Sequence, residues 1–152
     1  VEDDPDVGGK VGPFMMAMIN TKNVHRSNLL MGHPYGADFV YDEMVIGGVG
    51  FADIASLPGG APKPGEGPTK EERERGFFDI LFIAADGRRV RVSVKGDMDP
   101  GYGSTSKMLA ETAIALVRAP DVKGGVWTPA AALQGRLADR LQAHAGVTFH
   151  VE

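Results

Sequence analysis

Two runs rich in β-branched and aromatic residues, 77–84 and 88–95, flank Asp86-Gly87. This arrangement predicts a β-hairpin closed by a two-residue type I′ turn. Such a turn sets the register. On one face it places Ile83 opposite Val90, Leu81 opposite Val92 and Asp79 opposite Val94. On the other it places Phe82 opposite Arg91, Ile80 opposite Ser93 and Phe78 opposite Lys95. That second face would mix three large apolar side chains with two cations. A contiguous apolar patch of this kind usually marks a contact. Phe78, Ile80, Phe82, Arg91 and Lys95 are therefore expected to meet another subunit or domain, and the chain to self-associate as a homodimer. Two alternatives remain: a cleft for an apolar ligand with an anionic end, and Lys and Arg stems lying over a half-buried sheet.

Around this hairpin the chain reads as α+β. A mainly antiparallel or mixed sheet is expected, flanked by three helices at 21–31, 105–118 and 129–145, in a single domain over residues 1–152. Residues 1–12 are acidic with glycines and read as a linker. The apolar run 13–19 is short enough for a buried strand, although periodicity alone does not exclude a helix. Asn20-Thr21 can cap the first helix, the segment 32–36 breaks it, and 38–46 reads as a strand. Residues 58–68 hold four glycines and four prolines in eleven positions, so they read as a flexible loop. The charged run 69–75 reads as a helical turn. Thr105, Met108, Leu109, Thr112, Ala113, Leu116 and Val117 form one helical stripe. Thr128-Pro129 supplies an N-cap and a first-turn proline for the last helix. Leu133, Leu137 and Leu141 line that helix, Gly146 ends it, and 147–151 forms a final strand.

Composition narrows the chemistry. With 152 residues, 43% apolar and 24% charged, the chain can bury a real core. It has no cysteine, which excludes disulfides, thiolate metal sites and a cysteine nucleophile, and suits a cytoplasmic location. A formal charge of −4 and the lack of a readable binding motif give no sign of a nucleic-acid partner. His25, His33, His144 and His150 lack metal-ligand spacing, so no metal site is expected. No G-x-S-x-G elbow supports a hydrolase serine. The first residue is Val1, so the chain reads as a processed product or an excised piece.

The segment 96–107 gathers glycines and hydroxyls before a helix. One reading is a tight turn with an N-cap from Ser104 or Thr105. The other is an anion site on free N–H groups, a role that Asp97 and Asp99 oppose. Gly101-x-Gly103-x-x-Ser106 also approaches the dinucleotide fingerprint, with Asp121 further along. However, its third glycine is a serine, and the strand before it belongs to an antiparallel hairpin rather than a βαβ unit. Lys107 and Glu111 have the spacing of a surface i,i+4 pair.

Three blocks, 12–28 (GPFMMAMINTKNVHRSN), 96–111 (GDMDPGYGSTSKMLAE) and 124–130 (GGVWTPA), occur in this order. Together they resemble the C-terminal region of saccharopine dehydrogenase-like oxidoreductases, nearest the bacterial branch of trans-acting enoyl reductases. The resemblance implies a substrate-binding and dimerisation domain. It also implies an N-terminal Rossmann domain, absent from this sequence, that would carry NADP or NAD. This chain alone is then expected to hold no cofactor and to show no turnover. The substrate would be a small molecule or a lipid-like chain. Within the matching blocks, Asn20, Arg26, Asn28, Tyr102, Ser104, Thr105 and Lys107, with Tyr35 just after the first, are the candidates for a cleft facing substrate and cofactor. No catalytic acid is assigned. Arg26 could hold a carboxylate or phosphate in its fork, and Tyr102 could donate to a carbonyl. The rival reading is a stand-alone, non-enzymatic binding or assembly module.

Overall fold

A computed structural model describes residues 1–47, 65–86 and 88–152. Contacts divide the chain into two compact units, Val1–Gly65 and Glu66–Glu152. The class is α+β, with five helices and two antiparallel three-stranded sheets among the described residues. Most of the 58–68 loop, and Gly87 at the hairpin turn, lie outside the described residues.

In the first unit, β1 (Glu2–Asp4), β2 (Gly9–Pro13) and β3 (Met44–Ile46) form a sheet in that order. The expected linker at 1–12 is therefore mostly a hairpin, with Glu2 opposite Val11 and Val11 opposite Ile46. Its turn is built locally: Asp6 N–H donates to the Asp4 carboxylate at 2.7 Å, and Gly8, at φ 66°, donates to Asp4 O at 3.0 Å. The 13–19 run is not a strand. Pro13 ends β2, and the chain turns into α1 (Ala17–Leu30). Ala17, Thr21, Val24, Ser27, Asn28 and Met31 turn inward at helical spacing. That face is small and polar, so apolar periodicity does not reveal it. Asn20 sits inside the helix rather than capping it. Of the strand expected at 38–46, only β3 forms.

The second unit opens with α2 (Lys70–Arg75). Thr69 caps it, and Glu72 closes a capping box by accepting from Thr69 N–H at 2.7 Å. β4 (Phe78–Asp86), β5 (Arg88–Gly96) and β6 (Val147–Val151) follow in sheet order β4-β5-β6. The hairpin register differs from the expected one by a single residue: Phe82 faces Val92, Ile80 faces Val94 and Asp79 faces Lys95. A one-residue slip moves every β5 side chain to the other face. The predicted interface set is therefore split. Phe78, Ile80 and Phe82 share a face with Val90, Val92 and Val94, and with Val147, Phe149 and Val151 of β6. Arg91 and Lys95 lie on the opposite face, where Lys95 pairs with Asp79 at 2.8 Å and Arg91 with Glu152 at 2.9 Å. The slip gathers Ile80, Phe82, Val90, Val92 and Val94 on one face and leaves Leu81 and Ile83 with Ser93 and Arg91 on the other.

α3 (Gly103–Val117), α4 (Pro129–Leu133) and α5 (Gly135–His144) complete the unit. Val94, Leu141, Ala145 and Val147 form one core cluster, with Phe78, Val92, Met108 and Leu137 against it. Ala119, Ala132 and Leu133 form a second, and Leu137 touches both. Thr128 and Pro129 start α4 as expected, but the single helix at 129–145 is broken at Gln134, which adopts φ 52° ahead of helix-disfavouring Gly135. Between α3 and α5, Arg140 meets Glu111 at 2.6 Å, a charge contact rather than an aligned hydrogen bond. Arg140 Nε also donates to Glu111 O at 3.2 Å. No described helix is long and apolar enough to cross a membrane.

Gly96 lies opposite Phe78, and a Cβ there would meet the ring, with Cδ1 at 2.6 Å. Gly96→Ala is expected to destabilise the fold by about 1–3 kcal/mol through overpacking, measured by urea denaturation followed by circular dichroism.

Candidate functional site

The loop between β5 and α3 is organised by Asp99. Its carboxylate accepts from the N–H groups of Gly101 at 3.1 Å, Tyr102 at 3.0 Å and Gly103 at 2.6 Å. These include the first N–H of α3, where an anion would otherwise bind. Asp99 N–H donates to Arg73 O at 3.0 Å, and Asp99 O accepts from Ser104 N–H at 2.9 Å. Gly76 and Gly103 permit the close approach, since a Cβ on either would overlap Asp99. Burial raises the Asp99 pKa. The N–H groups of Gly103, Tyr102 and Gly101, with the charge of Arg73, lower it further, and the net shift is downward.

The hydroxyls in this loop point back into the chain. Ser104, fully buried, donates to Met98 O at 2.9 Å, and Thr105 donates to Pro100 O at 2.6 Å. Neither caps the helix with its side chain, as Tyr102 holds the N-cap position. Lys107 pairs with Asp97 instead of Glu111. The Tyr102 side chain is half exposed and lies over Gly67, whose Cβ would stand 3.2 Å from the ring. The near-fingerprint at 101–106 does not fit a dinucleotide pyrophosphate, because Asp99 already occupies the N–H groups that would hold it.

The first unit carries the other candidates. Asn28 is 3% exposed and shapes the break after α1. Its amide donates to Gly36 O at 2.8 Å and accepts from Tyr35 N–H at 3.0 Å. The rings of Tyr35, Phe39 and Tyr41 follow one another at 5.2 and 6.2 Å, and His25 meets Phe39 edge-on at 5.7 Å. The row ends in a polar cluster. Tyr41 donates to Glu43 Oε1 at 2.7 Å, and Asn20 donates to Glu43 Oε2 at 2.8 Å. Burial first, then the Glu43 hydrogen bond and the charges of Glu43 and Asp42, push the Tyr41 pKa upward. Arg26 is exposed on α1.

The structure thus groups Asn20, Asn28 and Tyr35 with Phe39, Tyr41 and Glu43 in one unit. It groups Tyr102, Ser104, Thr105 and Lys107 with Asp97 and Asp99 in the other. Sequence reasoning passed over Phe39, Tyr41 and Glu43, and read Asp99 as opposing an anion without reading it as the acceptor for the loop's N–H groups. For Asp99 the Asp-Pro-Gly order was a usable signal, because an aspartate in a turn accepts from the N–H groups that follow it. Among the described residues no three His, Asp or Glu side chains gather as a metal site.

This chain is similar to trans-acting enoyl reductases. A Mycobacterium tuberculosis protein provisionally given that name is 36% identical over 90% of this chain and 40% of its own length. Trans-acting enoyl reductases of Mycobacterium ulcerans and Mycobacterium bovis are 31% and 33% identical, over 90% and 95% of this chain and 40% and 42% of their own. The chain therefore spans about two fifths of the length of the curated relatives it matches. No family model matches it. No solved structure matches it.

Because the Asp99 pKa is lowered on folding, its stabilising effect is complete above the ordinary aspartate range, about pH 4. It is lost as pH falls through the depressed value. Asp99→Asn is expected to lower Tm at neutral pH and to flatten the acid limb of Tm against pH relative to the parent chain. Thermal denaturation across that range checks both effects.

Proposed function

We propose that this chain is the substrate-facing and subunit-contact portion of an NAD(P)-dependent enoyl reductase of saccharopine dehydrogenase-like type. The observation that carries the reading is its similarity to enoyl reductases over nine tenths of its residues. In this reading a Rossmann domain in the rest of a longer protein carries NADP or NAD, which supplies the hydride when bound. Asp99 supports that division of labour, because it uses the α3 terminus for capping and leaves no phosphate cradle there. The half-exposed Tyr102 offers its phenol to the substrate carbonyl.

The test uses the full natural gene product. With an enoyl thioester it should oxidise NADPH or NADH, followed by absorbance, and should not do so with the saturated thioester. Tyr102→Phe is expected to lower kcat/KM about tenfold, the loss of one hydrogen bond favouring the transition state. Absence of oxidation with either cofactor would overturn the reading.

The subunit contact is placed on the apolar sheet face. There Ile80, Phe82, Val90, Phe149 and Val151 remain exposed, and a patch of this kind favours a second copy. Light scattering coupled to size exclusion is expected to give a dimer for the parent and a monomer for Phe82→Asp, with unchanged far-ultraviolet circular dichroism. A monomeric parent would remove the dimer from the proposal.

A further inference from the structure

Oxidisable sulfur in this chain is confined to thioethers, because it holds seven methionines and no cysteine. Four of the seven are exposed: Met18 at 75%, Met15 at 46%, Met44 at 45% and Met16 at 37%. All four belong to the first unit. The other three, Met31, Met98 and Met108, are half-buried, and Met108 packs against the Val94 core cluster. The fold places Met44 close to the other exposed three. β2 ends at Pro13, which faces Met44 across the sheet. Directly after Pro13 the chain turns into α1. Ala17 N–H donates to Phe14 O at 3.1 Å, and Ile19 N–H to Met16 O at 2.9 Å. Met15 and Met18 therefore stand one turn apart. Asn20 ties this start of α1 to the residue before Met44, donating to Glu43 at 2.8 Å. Ile19 and Ile46 are exposed as well, so the surface around the four sulfurs is apolar.

We propose that Met15, Met16, Met18 and Met44 form the oxidant-accepting site of this chain, modified by hydroperoxides. A thioether lone pair attacks the outer peroxide oxygen. The S–O bond forms as the O–O bond breaks, and the sulfur gives two electrons to the peroxide. The proton passes from the transferred oxygen to the departing one, which leaves as water or an alcohol. A thioether has no proton to lose, so the step needs no side-chain base and its rate is flat across neutral pH. No thiolate in the chain competes for the oxidant. Each sulfoxide puts a polar S=O where an apolar thioether stood, and sulfoxide reductases reverse the change. Oxidation thus switches the start of α1 from an apolar to a polar surface. The inference is independent of the reductase reading.

Limited hydrogen peroxide is added to this chain and the reaction is stopped with catalase. The modified sites are then located by mass spectrometry of peptides and their fragments. Met18 is expected to gain oxygen first, Met15 and Met44 next and Met16 after them. Met18, Met15 and Met44 should each react severalfold faster than Met31, Met98 or Met108. In concentrated urea the seven rates should converge, since the fold sets the order. The oxidised chain should leave a hydrophobic-interaction column earlier, with unchanged far-ultraviolet circular dichroism. Treatment with the reductases for both sulfoxide epimers should restore its retention. Met18→Leu should remove the fastest event and leave the others unchanged. The combined variant Met15→Leu, Met16→Leu, Met18→Leu and Met44→Leu should lose the retention change. Several outcomes would overturn the proposal: Met108 reacting as fast as Met18, the same order in urea, or a retention change that survives the combined variant. So would a loss of circular dichroism, which would make unfolding the cause, or sulfoxides that the two reductases together fail to reverse.

Discussion

Pairing Phe82 with Val92 and Asp79 with Lys95 gathers Phe78, Ile80, Phe82, Val92 and Val94 on one face of the second unit's sheet, and Asp79, Arg91 and Lys95, with Leu81 and Ile83, on the other. The packing of this unit depends on that sorting. Only an apolar face lets Met108 of α3 and Leu137 and Leu141 of α5 close over Val94 and Val147. The arrangement leaves Gly96 as the point where the Phe78 ring crosses the neighbouring strand. The helices cover only part of the face, and Phe82, Phe149 and Val151 remain outside it. The same pairing that builds the core thus also sets which surface can meet a partner.

Where the sheet hands over to α3, one side chain replaces a ligand. Asp99 satisfies three successive N–H groups and connects its own backbone to α2 and to Ser104. Ser104, Thr105 and Lys107 bond within the same segment, to Met98 O, Pro100 O and Asp97. Tyr102 is the exception, with its ring half exposed beside Gly67. In the first unit Asn28 plays a comparable supporting part, holding the turn from which Tyr35, Phe39 and Tyr41 follow.

The elements legible in the sequence were those with strong local signals: the hairpin strands, the helix α3, the Thr128-Pro129 start, the charged turn of α2 and the last strand; of the stripe read on α3, Met108 and Thr112 turn inward while Thr105, Leu109, Ala113, Leu116 and Val117 are exposed. The hairpin register was not legible, because pairing with β6 and packing of Val94 and Val147 against the helices lie beyond a turn motif, which sees only its own residues. The hairpin at 1–13 escaped because β1 is three acidic residues and β2 is short and glycine-containing; the first helix was legible at 21–31, but its first turn, within the run 13–19, was not. For the site, the blocks that matter could be read. The contact of Asn20 with Glu43 could not, because only folding brings those residues together, whereas Asp99 acts on N–H groups two to four residues further on.

The Asp99 carboxylate is an anion covalently tethered to the helix terminus it neutralises. A free phosphate arriving there competes with a group that never diffuses away and whose effective concentration is set by the single residue, Pro100, between it and Gly101. The loop therefore combines the shape of a phosphate cradle with built-in inhibition of that use. Replacing Asp99 with a residue that has no side-chain acceptor would leave the N–H groups of Gly101, Tyr102 and Gly103 without their present partner.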